Sequence, residues 1–161
     1  MTVITHNRRR SRLSTLIDQP GGISVSVALD QARENLSTLA DRSLEMIGAE
    51  IHKLAELAAP TGLETQVEAL NQAYLHASTV IDAACPFEMA DLCAAASNLC
   101  DLLDTAPEDQ LFDWRIVTVH AQSMRLLLSL DDTAGEARTQ VLASLKDVLK
   151  AKTGPSDEDP A

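Results

Sequence analysis

The chain has 161 residues, enough for one domain with a core of its own and short for two. Hydrophobic residues make up 45% of it and aromatic ones 2%, so alanine and leucine, both strong helix formers, must fill the interior, and an all-α fold is expected. The formal net charge is −11, and between Lys53 and Arg115 there is no lysine or arginine against eleven acidic residues, which argues against nucleic-acid binding through the folded domain.

Residues 1–22 read as a disordered basic arm ending in the breaker QPGG. Its RRRSR run, Arg8 to Arg12, is read as solubilising. No signal-peptide pattern follows the arginines, and no apolar stretch reaches transmembrane length. Residues 23–151 read as the helical bundle domain and 152–161 as a disordered acidic tail. Within the bundle, Leu29, Ala32, Leu36, Leu39, Ser43, Ile47, Ile51, Leu54 and Ala58 recur at three- and four-residue steps. They predict one long helix over Val25 to Ala58, stopped by APTG.

A second helix is predicted over Leu63 to Ala84, with its apolar stripe at Val67, Leu70, Tyr74, Ala77, Ile81 and Ala84. The CPF corner, Cys85–Phe87, then turns the chain, since Pro86 resists continuation. A third helix, Phe87 to Leu103, places Phe87, Ala90, Ala94, Ser97, Cys100 and Leu103 on one side, widened by Met89, Leu92, Cys93, Leu99 and Leu102. A fourth is expected over Gln110 to Leu130, with Glu108 and Asp109 at its positive end. A fifth runs from Ala134 to Lys150, with Thr133 and Glu136 spaced as a capping box. Short loops between amphipathic helices give an up-and-down bundle, with helices two and three as its central hairpin.

Chemistry-bearing motifs are few. The four histidines and three cysteines show none of the C-x-x-C, H-x-x-x-H or E-x-x-H spacings of metal sites, and His52 with Glu56 is a single ligand pair on a helix face. No metal and no cofactor is expected. Cys85, Cys93 and Cys100 are odd in number, so they admit no complete pairing. They point to a reduced, cytoplasmic setting, with Cys93 and Cys100 behaving as small hydrophobes. His120 falls on the side of Val117 and Met124 as a partly buried histidine, and His52 reads as a surface residue. His76 lies beside the apolar stripe of the second helix, at the boundary of core and solvent.

The hairpin stretches YLHASTVIDAACPF (Tyr74 to Phe87) and FEMADLCAAASNLCDLLD (Phe87 to Asp104), the later VTVHAQSMRLLL, and the leading ALDQARENLSTLADRSLEMIGAEIHKLAEL resemble histidine phosphotransfer (HPt) domains. These are helical bundles of bacterial two-component and chemotaxis-type signalling in which a helical histidine accepts a phosphoryl group. The resemblance covers most of residues 25–130 and implies a four-helix core with a long first helix and a C-terminal helix. It implies that His76 is the phosphoacceptor, and that Ser78, Thr79, Asp82, Glu88 and Asp91 dock the partner, a response-regulator receiver domain or a histidine kinase.

The accepting helix of the family typically reads H-x-x-K-G. Aligned on Phe87 and Cys100, this chain has Ser78 at the acceptor position, Ile81 at the lysine and Asp82 at the glycine. With His76 as acceptor, Thr79 and Val80 take those two places. Neither register supplies a cation, and Lys and Arg are absent from residue 54 through 114. The expectation is therefore a non-catalytic HPt-like protein that binds its partner without carrying phosphate. The alternatives are an active relay through His76, which needs nothing beyond the partner's magnesium, and a helical adaptor outside signalling, its first helix pairing with a second copy as a homodimer.

Overall fold

Apolar residues at helical steps form stable helices only where another surface covers the stripe. In the computed structural model, which describes residues 21–131 and 133–153, six α-helices form and no strand appears among the described residues. They are α1 (Val25–Ser37), α2 (Ala40–Glu56), α3 (Leu63–Ala84), α4 (Ala90–Asp104), α5 (Arg115–Ser129) and α6 (Gly135–Thr153), with a 3-10 turn, Cys85–Phe87, between α3 and α4. The all-α bundle expected from composition is what forms. The basic arm through residue 20 and the tail from residue 154 lie outside the described residues.

The single helix expected over Val25 to Ala58 is two. The chain divides into compact units at Ser37 and Thr38, and the second helix ends at Glu56. Near the break the Ser37 hydroxyl donates to the Glu34 carbonyl at 2.7 Å, the kind of local bond that competes with helix continuation. Taken by itself, α1 buries none of its residues, and Val25, Leu29 and Leu36 are exposed. On α2 the same stripe is buried through Ser43, Ile47, Ile51 and Leu54.

Polar bonds fix the up-and-down course of α2 to α5. The buried Ser43 hydroxyl, the one polar lapse in the stripe, donates to the Ala83 carbonyl at 2.6 Å, setting the start of α2 beside the end of α3. The Gln66 amide donates to the carbonyls of Pro107 and Gln110, both at 3.1 Å, setting the start of α3 beside the end of α4. Trp114 Nε1 donates to the Leu57 carbonyl at 3.3 Å, joining the end of α2 to the start of α5. At the other end Arg138 of α6 donates to Asp91 at the start of α4 and to the Leu127 and Leu130 carbonyls at the end of α5.

The core between these helices is Ile47, Ile51 and Leu54 from α2, the alanines 73, 77 and 84 with Val80 from α3, Leu92, Leu99 and Leu102 from α4, and Met124 and Leu127 from α5. Leu145 adds α6 to it.

Several predicted faces turn. On α3, Val67 and Tyr74 are exposed, and Ala73 and Val80 take the inward positions with Gln66. Alanines let α3 lie close to its neighbours, so the bulkier residues fall at the rim. On α4 the inner face is Leu92, Ala95, Ala96, Leu99, Leu102 and Leu103 with Cys100, not the stripe through Phe87, Ala90 and Ala94. This helix starts at Ala90, because Glu88 adopts a left-handed φ of 59° and ends the turn that precedes it. The fourth predicted helix starts at Arg115, so Glu108 and Asp109 do not lie in its first turn. Asp113, two residues before the helix starts, accepts the Arg115 backbone N–H at 3.2 Å. Leu111, before the helix, and Val119, on it, are exposed. The last helix starts at Gly135 and continues through Thr153, past the expected end at Lys150.

Candidate functional site

His76 is carried on the flank of α3 that faces α2, and what it meets there is a carboxylate. The His76 ring donates from Nδ1 to Glu50 Oε2 at 2.6 Å, and Lys53 donates to Glu50 Oε1 at 2.7 Å. The His76 and Glu50 side chains are 14% and 13% exposed, whereas Lys53 is open to solvent. The hydrogen bond from Lys53, and after it that from His76, holds the Glu50 carboxyl below its ordinary range against the upward pull of burial. A carboxylate that accepts from Nδ1 fixes the ring tautomer and leaves the imidazole lone pair on Nε2.

The H-x-x-K-G pattern would place a lysine on α3 beside the histidine, and α3 carries no lysine or arginine. The structure instead brings a cation to the same carboxylate from the preceding helix, which reading along the hairpin does not anticipate. Glu50 and Lys53 were not singled out from the sequence. The signal was present, since Glu50 sits between Ile47 and Ile51 at the edge of the buried stripe, where a carboxylate needs a partner.

The other expected docking residues separate into three groups. Ser78 and Thr79 both turn their hydroxyls onto the Leu75 carbonyl of their own helix, at 3.0 and 2.7 Å. Asp82 and Glu88 are exposed at the corner end of the hairpin. Asp91 accepts from Arg138 Nε at 2.7 Å and is engaged within the chain. Glu88 and Asp91 line one cleft with Phe87, Met89 and Arg138, while His76 belongs to the α2–α3 seam.

His120 is buried completely, a step further than expected. Its Nδ1 donates to the Ile116 carbonyl at 2.8 Å, and burial pushes its pKa down. His52 lies on the surface of α2, 3.4 Å from Glu56, as expected. Among the described residues no group of three or more metal-ligating side chains comes together. No helix among them is long and apolar enough to cross a membrane.

The cysteines overturn the unpaired reading. Cys85 and Cys93 are joined as a disulfide, and Cys100 remains free and buried. Burial, with Asp104 and Asp101 behind it, pushes the Cys100 thiol up to about 11, out of reach of nucleophilic work at neutral pH.

Comparison of the chain with protein-family models, with curated proteins and with solved structures finds no match.

Proposed function

We propose that the protein is a non-catalytic, HPt-like interaction module that binds a response-regulator receiver domain or a histidine kinase through the α3–α4 hairpin. The observation that carries this reading is the commitment of His76. Its imidazole is mostly covered, and its Nδ1 is tied to Glu50 at 2.6 Å. A phosphoacceptor must enter a partner's active site and then hold a dianionic group, and a carboxylate in contact with the ring opposes that charge. The hairpin remains the docking face in this reading, with Asp82 and Glu88 as its exposed acidic contacts, so the partner's face is basic or apolar. The same reading gives α1 a part, its exposed Val25, Leu29 and Leu36 offering a face to a second copy.

One observation favours the active alternative. Glu50 holds the tautomer whose lone pair is on Nε2, and Lys53 supplies a cation through the same carboxylate. In that case Nε2 attacks the phosphorus of an aspartyl phosphate, a P–N bond forms, and the acyl P–O bond breaks to return the aspartate carboxylate.

One experiment separates the two: the purified chain and its His76→Gln variant are mixed with phosphorylated receiver domains and kinases, and label transfer and retention are followed together. The expected result is a receiver or kinase retained by both proteins with no label on either. Acid-labile, base-stable label that disappears in His76→Gln would establish the relay instead. Neither label nor retention would leave the adaptor reading.

A further inference from the structure

Cys85 ends α3 at the exposed corner, and Cys93 lies half-buried in the first turn of α4, eight residues on. Their Cα atoms are 6.1 Å apart, within the span a disulfide requires, and the sulfurs are bonded. The ring they close contains Pro86, the left-handed Glu88, and Asp91. Cys100, further along α4, faces the core and takes no part.

The corner does not rely on the bond for its shape. Glu88 N–H donates to the Cys85 carbonyl at 3.2 Å and Met89 N–H to the Ala84 carbonyl at 3.3 Å, which closes the turn through the backbone. The α3–α4 core on either side is built from Ala77, Val80, Ala84, Leu92, Ala95 and Ala96. A disulfide in an exposed turn is open to attack, and here backbone hydrogen bonds also hold the turn.

We propose that Cys85–Cys93 is a thiol–disulfide exchange site, opened by a dithiol reductant and re-formed by a disulfide oxidant, that controls the freedom of the corner bearing Glu88. Cys85, the exposed residue of the pair, is the point of entry. A thiolate of the reductant attacks Cys85 Sγ, the S–S bond breaks, and Cys93 leaves as a thiolate that takes up a proton. The second thiol of the reductant then attacks its own sulfur in the mixed disulfide. That step releases the Cys85 thiolate, which is also protonated. Two electrons and two protons pass to the chain, and the reductant becomes a cyclic disulfide. Oxidised glutathione reverses the net change, itself leaving as two thiols. The exchange stands whether or not the hairpin docks a receiver.

The test uses the full chain carrying Cys100→Ala, so that only this pair can react. The folded protein is treated with dithiothreitol or with oxidised glutathione, and thiols are counted by maleimide labelling and mass. Expected are two labels after dithiothreitol and none after oxidised glutathione, with the cooperative melt kept in both states. Backbone amide exchange should speed up after reduction at residues 85–93 and not along the rest of α3 and α4.

Entry at Cys85 is read from single variants: Cys93→Ser should capture glutathione on Cys85 several-fold faster than Cys85→Ser captures it on Cys93. A bond that resists dithiothreitol until denaturant is added would make the bridge purely structural and overturn the proposal. So would two thiols that stay free under oxidised glutathione, or corner exchange that is the same in both states. Faster capture at Cys93 would overturn the order of attack.

Discussion

Among the described residues, His120 and Asn98 each leave a buried side-chain nitrogen without a hydrogen bond. The His120 ring is fully enclosed, Nδ1 bonds back to the Ile116 carbonyl of its own helix, and Nε2 is buried without a hydrogen bond. Burial disfavours the imidazolium, so the folded pKa lies below that of the unfolded chain, ordinarily near 6.5. The sign follows directly. Below about pH 6.5 the unfolded chain takes up a proton that the folded one refuses, so stability is lost as the pH falls through that range and is complete above it. Urea unfolding at pH 7.5 and 5.5 should show the chain losing roughly 1 kcal/mol toward acid, while His120→Leu removes most of that slope and leaves the neutral value unchanged or higher. An equal slope in both proteins would show that His120 is not the group that titrates. His76 is the contrasting case at the same scale, a ring at the edge of the core that found a carboxylate on the next helix.

The connection from α4 to α5 depends on a residue of another element. Gln66, in the first turn of α3, donates to the Pro107 and Gln110 carbonyls and accepts the Phe112 backbone N–H at 2.7 Å, while only 3% exposed. Gln66→Leu would keep the size and strand all three groups, with the Phe112 N–H buried. The expected cost is about 2–3 kcal/mol in urea unfolding, with amide exchange rising first over residues 105–114. A loss under about 0.5 kcal/mol would mean that water replaces the amide. This clamp also shows where reading the sequence stopped. The helical segments were legible because spacing alone defines them, and the α2 stripe through Ser43, Ile47, Ile51 and Leu54 was read correctly. On α3 the inward Ala77 and Ala84 were legible and Ala73 and Val80 were not, because the large Val67 and Tyr74 fit the same spacing while the close approach belongs to alanines. Gln66 and the Cys85–Cys93 bond had no local signature, and Glu50, at the edge of the α2 stripe, signalled the need for a partner without naming it. Each is defined by a contact across helices or around a corner, and periodicity carries no information about either.

For the molecule as a whole, what matters is where the core begins. Among the described residues every buried side chain falls between Ser43 and Leu145, although the apolar spacing that predicts burial starts at Val25. The bundle from α2 to α6 therefore contains its own hydrophobic stabilisation, and α1 is a 13-residue helix, near the lower limit of length for a helix stable by itself. A chain running from Leu39 to Thr153 should fold cooperatively, its melting midpoint within about 3 °C of the full chain, the shift that a change under ~1 kcal/mol produces. A non-cooperative melt, or a drop well beyond that, would mean that the core needs the residues before α2. Running both proteins over a range of concentrations adds the second half of the argument. If copies pair through Val25, Leu29 and Leu36, the midpoint of the full chain rises with concentration and that of the shortened chain does not, because only association makes melting depend on mass action. Equal, concentration-independent midpoints would remove a second copy from α1 and leave that face to a partner of another kind.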